Sequence, residues 1–476
     1  MPAQIAIVHG WSDTSKSFRA LRDFLRANGF QATQIWLGDY VSTDDDVRIE
    51  DVGKRMERVI RQAIQDGKLT VPFDLIVHST GGLLAREWIT RYYPDGKGCP
   101  VKRLIMLAPA NFGSALASLG KSMIGRVAKG WNNWFQTGTE MLVGLELASA
   151  YQWDLARRDL LDPVGNAEGP YGPDKVWPFV IVGSRGYDSR LRQIVNEHGA
   201  DGAVRCAAAN LNAVGITIDF ATDPDKPGIR PWHWRSGRMQ FPFAVLPDRD
   251  HSSIHEPAQA SSAPQFTERL GQVILQALAC ESSQQYGALH TDWQKVTAST
   301  AALLTNPGEL KNAFQSKPPD PEELHQYMQI VTLVRDDEGQ PVNDYFLEFF
   351  PPDRGGDAEA VYFHKEVLEH VHVNSRDASR RCLFVDHTDL MQGYYPRIGP
   401  EAKRQVAVSL SAAKLGENVR YFDSTKVGAK GHLVVHHEDE DRREELGSAR
   451  LRRHTTHLVE ITIPRQPIDK VFKLSE

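Results

Sequence analysis

A serine lies at the junction between a strand-like segment and a helix-like segment. Residues 73–77 are mostly apolar, His78-Ser79-Thr80-Gly81-Gly82 follows directly, and residues 83–92 then have a helix-like pattern. Glycines allow a tight turn here, and such a turn holds a serine at the carboxyl end of a strand. The first N–H groups of the helix can then stabilise a negatively charged oxygen. The pattern predicts that Ser79 is a nucleophile.

This segment resembles the nucleophile elbow of the lipase and esterase branch of the α/β-hydrolase superfamily, which often reads Gly-His-Ser-x-Gly-Gly. Val77 occupies the position of the first glycine of that motif. Near the start of the chain, the apolar residues 5–8 lead into His9-Gly10-Trp11, which is similar to the His-Gly pair of the lipase oxyanion loop. The resemblance implies that the backbone N–H groups of Trp11 and Thr80 form the oxyanion hole.

The superfamily also indicates where the acid belongs, because the nucleophile is followed along the chain by an acid and then by a histidine. The segment His198-Gly199-Ala200-Asp201-Gly202-Ala203-Val204 resembles the Asp-Gly-x-Val acid loop of the lipases. A short Asp-Gly turn presents its carboxylate free of helix constraint, so we predict that Asp201 is the acid. Asp188 is the alternative, since it lies nearer the strand-like run at 176–182.

The base is expected in a loop after the last strand of the sheet. Residues 241–246 are strand-like, and the loop that follows contains His251. From such a loop an imidazole can approach the serine while its other nitrogen meets the acid, so we predict that His251 is the base. His255 is the alternative, and His233, between two tryptophans, is interpreted as part of an aromatic cluster.

An insertion at about 112–161 interrupts the alternation of strands and helices. Residues 107–114 read Leu-Ala-Pro-Ala-Asn-Phe-Gly-Ser, similar to the stretch that opens the cap in bacterial lipases and in relatives of lecithin-cholesterol acyltransferases and glycosylphosphatidylinositol deacylases. We expect a helical cap that binds an acyl chain or makes peripheral membrane contact, with core packing as the alternative for each apolar residue. The apolar residues are Trp131, Trp134, Phe135, Met141, Leu142, Leu145, Leu147, Tyr151 and Trp153.

The 476 residues are too many for one compact core and predict two domains. The first, 1–316, is expected to be an α/β-hydrolase fold with a mostly parallel sheet of about six strands. Its strand-like runs are 5–8, 31–37, 73–77, 101–108, 176–182 and 241–246. The second, 317–476, follows a proline-rich segment and is expected to be a mostly β module of unassigned role. Within it, 329–334, 336–339 and 345–350 predict a strand, a turn and a strand.

Composition narrows the class of protein. The net charge of -6 gives no basic surface for nucleic acid. Four scattered cysteines without Cys-x-x-Cys pairs predict neither a zinc ribbon nor a disulfide framework, and we predict no metal and no cofactor. The N-terminal residues lack the pattern of a Sec signal. We therefore expect the chain to be cytoplasmic as synthesised, with delivery as an effector by a specialised secretion system as the alternative.

The predicted activity is that of a serine carboxylic-ester hydrolase of the lipase or phospholipase type, acting on a lipid or a small ester. An acyltransferase with the same three residues is one alternative, because an alcohol can replace water at the acyl-enzyme. A hydrolase fold that serves as a catalytically silent binding module is the other. The sequence fixes neither the acyl length and head group nor the oligomeric state.

Overall fold

The computed structural model describes residues 4–10, 15–31, 35–41, 44–118, 138–188, 193–223, 227–237, 239–259, 266–314, 318–352, 357–399, 404–413, 415–421, 433–437 and 450–474. The chain forms two compact units. The first comprises Met1–Asp162, Asn166–Asn212 and Trp234–His325, and the second comprises Pro163–Gly165, Ala213–His233 and Gln326–Glu476. This division differs from the expected boundary at 316/317, because Ala213–His233 belongs to the second unit.

Twenty strands are present in the described residues. In chain order they are β1 (Ile5–Val8), β2 (Ile35–Gly38), β3 (Phe73–His78), β4 (Val101–Leu107), β5 (Leu161–Asp162), β6 (Trp177–Gly183), β7 (Val214–Asp219), β8 (Gly228–Pro231), β9 (His233–Trp234), β10 (Phe243–Leu246), β11 (Tyr327–Asp336), β12 (Tyr345–Phe350), β13 (Leu368–Val373), β14 (Arg380–Asp386), β15 (Gln405–Ala412), β16 (Val419–Tyr421), β17 (Leu433–His437), β18 (Arg450–Leu451), β19 (Thr456–Ile463) and β20 (Arg465–Pro467).

Thirteen α-helices lie between these strands in the part of the chain that the structure describes. They are α1 (Arg19–Ala27), α2 (Ile49–Gln65), α3 (Gly81–Tyr92), α4 (Ala115–Ser118), α5 (Thr139–Leu145), α6 (Ala150–Asp159), α7 (Cys206–Ala209), α8 (Arg269–Leu278), α9 (Ser283–Ala302), α10 (Pro307–Ala313), α11 (Asp357–Tyr362), α12 (His387–Asp389) and α13 (Tyr395–Ile398). None of the described helices is both long enough and apolar enough to cross a bilayer.

The first unit is built on a six-stranded sheet in the order β10-β6-β4-β3-β1-β2. Every neighbouring pair in it is parallel. All residues of β3 and β6 are buried, as expected for a parallel sheet that is covered on both faces. Each of the six predicted strands overlaps an observed one, and the predicted mostly parallel α/β fold is confirmed.

Helices α3 and α6 of the first unit are joined by a buried ion pair. The Arg86 guanidinium donates from Nε and Nη2 to the two carboxylate oxygens of Asp159, at 2.8 and 3.0 Å, and Nη1 donates to the Asn111 backbone oxygen at 2.9 Å. Because both charges are paired and hydrogen-bonded, they can be buried together. Segment 107–114 is thereby fixed beside the helix that follows Ser79.

The insertion is described in part. Residues 119–137, with Trp131, Trp134 and Phe135, lie outside the described residues. Among the other predicted cap residues, Tyr151 is partly buried. The rest are buried, and they are Met141, Leu142, Leu145, Leu147 and Trp153. These buried side chains pack inside the first unit, which is the alternative stated for each of them, and they do not present an apolar face to solvent.

The second unit is rich in β-structure, as predicted. Its larger sheet has the order β13-β14-β11-β19-β7-β8, and a second sheet has the order β12-β15-β17-β18. In the larger sheet β19 pairs in parallel with β11 and β7, and the remaining pairs are antiparallel. The predicted strand, turn and strand are present as β11, a turn after Asp336 and β12, and the two strands belong to different sheets.

Candidate active site

Ser79 lies in a strained turn between β3 and α3. Its φ angle is +53°, in the left-handed region that non-glycine residues seldom adopt. Two backbone hydrogen bonds stabilise this strained conformation. The Ser79 N–H donates to the Leu107 oxygen at 3.0 Å, and the Ser79 oxygen accepts from the Gly82 N–H at 3.0 Å. Neighbouring structure therefore holds the serine at the carboxyl edge of the sheet, as the sequence predicted.

Two glycines allow the backbone to pass close to this turn. A Cβ atom at Gly10 would lie 2.7 Å from the Cβ atom of Ser79, a distance that real Cβ atoms do not reach. A Cβ atom at Gly81 would lie 3.1 Å from the backbone oxygens of both Val8 and His9. The loop after β1 can therefore approach the serine only because both positions lack a side chain.

Val77 is accommodated at the position where the motif has glycine. Its side chain is fully buried, and it pairs with Val8 of β1 and with Met106 of β4. A Cβ atom at Gly81 would lie 3.3 Å from the Cβ atom of Val77, so glycine at residue 81 leaves the room that valine needs. The elbow thus forms with one of its small residues replaced.

The structure brings Ser79, His251 and Asp201 together. His251 Nε2 lies 3.0 Å from Ser79 Oγ, and His251 Nδ1 lies 2.9 Å from Asp201 Oδ2. A carboxylate only accepts hydrogen bonds, so Nδ1 carries the hydrogen and Nε2 is left to accept from the serine hydroxyl. All three residues are buried. This arrangement can move a proton from Ser79 Oγ to His251 Nε2.

The turn after Gly199 holds the Asp201 side chain in place. Asp201 Oδ1 accepts from the backbone N–H groups of Ala203 and Val204, at 3.0 and 2.8 Å. Asp201 oxygen also accepts from His251 N–H at 2.8 Å, which ties the two loops together. Gly202 has a φ angle of +96°, and a Cβ atom there would lie 2.5 Å from the Tyr187 ring, so the Asp-Gly pair is a requirement of the geometry.

The loop that carries His251 is held by residues that sequence reasoning did not select. Asp250 Oδ1 accepts from the N–H groups of Ser252 and Ser253, at 3.0 and 2.8 Å. Arg249 is buried, pairs with Asp248 at 3.1 Å and donates to the Thr267 backbone oxygen at 3.1 Å. The order Asp-x-Ser-Ser is a signal for the first of these turns.

The alternative residues make other contacts. Asp188 is exposed and pairs with Arg185, both of its oxygens lying 3.1 Å from Nη2. His255 is buried against Phe18 and His78, with ring centroids 4.8 and 5.2 Å apart. His233 belongs to the second unit and is exposed, not packed in an aromatic cluster. The geometry favours Asp201 and His251 over these residues.

Thr80, one of the two predicted oxyanion donors, lies at the start of α3. Thr80 follows Ser79 directly, has helical φ and ψ angles of -54° and -27°, and is buried. Its N–H group therefore belongs to the first turn of backbone after the nucleophile. Trp11 lies outside the described residues.

Among the described residues of the first unit alone, no three His, Cys, Asp or Glu side chains converge as metal ligands.

Comparison with known proteins gives a structural match. No family model matches the chain, and no curated protein matches it in sequence. The structure is similar to phospholipase PlaB from Legionella pneumophila, with a TM-score of 0.78 and 25% identity over 100% of this chain and 96% of that chain. PlaB in complex with thio-NAD gives a TM-score of 0.76 over the same shares, again at 25% identity.

A third structure is similar over part of the chain. Mature lipase BlEst2 from Bacillus licheniformis matches 58% of this chain and 92% of its own, with a TM-score of 0.36 and 15% identity. The parallel sheet, the strained serine after β3 and the match to PlaB over the full chain agree with one another. Together they support an α/β-hydrolase fold of the lipase and esterase type.

Proposed function

We propose that this protein is a serine carboxylic-ester hydrolase of the lipase or phospholipase type. The observation that carries the proposal is the contact of Ser79 Oγ with His251 Nε2 at 3.0 Å, with Asp201 2.9 Å from the other imidazole nitrogen. The similarity to a protein named phospholipase over the whole chain supports a lipid ester as substrate. Ser79, His251 and Asp201 then act as nucleophile, base and acid.

The first half of the reaction forms an acyl-enzyme. His251 Nε2 accepts the proton of Ser79 as Oγ attacks the ester carbonyl carbon, and the carbonyl oxygen becomes negatively charged. Asp201 keeps Nδ1–H in place and stabilises the charged imidazole. The N–H groups of Thr80 and Trp11 are the proposed donors to the oxyanion. His251 then gives its proton to the leaving alcohol, and the C–O bond breaks.

The second half uses water in place of the serine hydroxyl. His251 accepts a proton from water, the water oxygen attacks the acyl carbon, and the proton returns to Ser79 Oγ as the acid leaves.

The described part of the insertion buries its apolar side chains. The proposal of a cap that contacts a membrane therefore rests on the apolar residues at 119–137, which lie outside the described residues.

Hydrolysis of a chain-length series of p-nitrophenyl esters and of a phospholipid tests the proposal. Ser79→Ala is expected to lower kcat by about 10⁴- to 10⁶-fold, because the nucleophile is removed while the fold remains. Ser184→Ala is the matched control, since Ser184 is also a buried serine of the first unit and lies after β6. We expect this control to keep full activity.

The substrate series separates the competing outcomes. Preference for long acyl chains or phospholipid supports a lipase, and activity only on short esters supports a small-ester hydrolase. Transfer of the acyl group to an added alcohol in preference to water would identify an acyltransferase. Equal activity of the wild type and Ser79→Ala would show that the serine is not the nucleophile.

A further inference from the structure

His78, the residue before Ser79, makes a hydrogen bond to the loop that carries His251. Its Nε2 atom lies 3.0 Å from the backbone oxygen of His251. Since a carbonyl oxygen only accepts, Nε2 carries the hydrogen and His78 donates. His78 is 2% exposed, so solvent does not compete for this bond. One hydrogen bond thus joins the backbone beside the nucleophile to the backbone of the base.

The His78 ring is fixed by other buried rings. Its centroid lies 4.7 Å from that of His251 at an interplanar angle of 40°, and 5.2 Å from that of His255 at 78°. Phe18 contacts it from a third direction, with centroids 5.8 Å apart. A ring held on three sides has little freedom to change rotamer, so its hydrogen bond fixes a position as well as a distance.

His78 is also suited to lie beside a group that becomes charged. Burial lowers its pKa well below the usual value for histidine, and the charges of His251 and His255 act in the same direction. A neutral His78 can donate from Nε2 without placing a second positive charge next to the imidazolium of His251. The pKa shift and the geometry therefore agree on a neutral donor.

We propose that His78 is a positioning residue that sets the distance between Ser79 Oγ and His251 Nε2. The proposal rests on the proposed function of this site. Ser79 is fixed by the strained turn after β3. The His251 loop is held by the Asp250 turn and by the bond from His251 N–H to the Asp201 oxygen, but neither of these contacts involves β3. The bond from His78 transfers the rigidity of β3 to that loop. Reacting groups that shift by about 1 Å can lose about 100-fold in rate.

The test is a pair of variants, His78→Met and His78→Gln. Methionine and glutamine are similar in length, but only glutamine can donate to the His251 oxygen. We expect His78→Met to lower kcat for a p-nitrophenyl ester about 10- to 100-fold with little change in KM, because positioning for the chemical step is lost. His78→Gln should recover most of that loss. His78→Phe, which keeps a ring in the cluster, serves as a second variant without a donor.

The rate of labelling by a fluorophosphonate, mapped to Ser79, is measured beside hydrolysis. It should fall with kcat in His78→Met and recover in His78→Gln, while thermal unfolding shows that each variant is folded. If Ser79 of the wild type is labelled and His78→Met or His78→Phe is labelled as fast, the proposal for His78 is wrong and the proposed function stands. If Ser79 of the wild type is not labelled, both are wrong.

Discussion

Two strand-to-helix junctions in this molecule use a polar residue in different ways. In the first unit β3 leads through Ser79 into α3, and in the second unit β14 leads through Asp386 into α12. Asp386 has an ordinary φ angle of -75°, and its Oδ1 atom accepts from the N–H of Asp389 at 3.0 Å, so it caps its own helix. Ser79 has a φ angle of +53°, and the N-cap of α3 is the next residue, Thr80, whose side chain makes no capping hydrogen bond.

The difference shows where the backbone strain is used. Ser79 Oγ meets an imidazole that is distant in sequence, whereas the Asp386 side chain satisfies a backbone donor three residues later. A polar residue that relaxes its own junction gains stability, and one held in a strained conformation is available for another partner. The succession of strand, polar residue and helix therefore does not by itself identify a nucleophile.

The largest expected effect is on kcat and comes from changing Asp201, which contacts the histidine beside Ser79. In Asp201→Asn the amide cannot hold Nδ1–H of His251 as the carboxylate does, so we expect kcat to fall by up to about 10⁴-fold. Asp386→Asn is the matched control, because asparagine caps helices as well as aspartate does. Steady-state hydrolysis of a p-nitrophenyl ester measures both. A loss in Asp201→Asn of less than tenfold would argue against Asp201 as the acid.

The next largest effect is on stability and concerns β14, the strand that ends at Asp386. Leu383 of β14 is buried, and its neighbour on the edge strand β13 is Val371, which is 42% exposed. Leu383→Ala should lower the free energy of unfolding by about 2–5 kcal/mol, because it leaves a cavity. Val371→Ala should change it by less than about 0.5 kcal/mol. Urea unfolding measures both, and similar costs for the two would contradict the assigned core.

The smallest effect concerns the second unit's own strained residue, His454, which has a φ angle of +50°. Burial lowers its pKa to about 3, whereas an unfolded histidine titrates near 6.5. Between these values the unfolded chain binds more protons, so the stability due to neutral His454 is present above pH 6.5 and is lost as pH falls. The loss is about 1.4 kcal/mol per pH unit below 6.5.

His454→Asn removes this titration and keeps a residue that tolerates a positive φ angle. Between pH 7 and pH 5, the free energy of unfolding of the wild type should fall by about 2 kcal/mol more than that of the variant. Urea unfolding at both pH values gives this difference. Parallel losses in the two proteins would show that His454 is not kept neutral by burial. Unchanged hydrolysis at pH 7 would show that a positive φ angle alone does not mark a catalytic residue.

Sequence reasoning located the first junction because its information is local. An apolar strand, a serine and two glycines specify a tight turn, and the expected order along the chain led to Asp201 and His251, which the structure places beside Ser79. His78 was not selected, because a histidine before the serine gives no indication of which carbonyl it meets. That contact joins residues 173 positions apart.

The second unit was harder to predict for a related reason. Strand β7 pairs in parallel with β19, and more than 230 residues separate them along the chain. Local pattern identifies a strand but does not specify its partner, so Ala213–His233 was assigned to the first domain. The turn after Asp336 was recognised, yet the chain that follows joins another sheet. Pairing at long range depends on packing that periodicity does not encode.

The most direct test of Ser79 as the nucleophile is to trap the acyl-enzyme. The protein is mixed with a slowly hydrolysed p-nitrophenyl ester, quenched in acid, and digested for mass spectrometry. We predict an added acyl mass on the peptide that contains Ser79, formed as p-nitrophenol is released, and no such mass in Ser79→Ala. Release of p-nitrophenol with no acyl group on Ser79, or with an acyl group on another residue, would show that Ser79 is not the nucleophile.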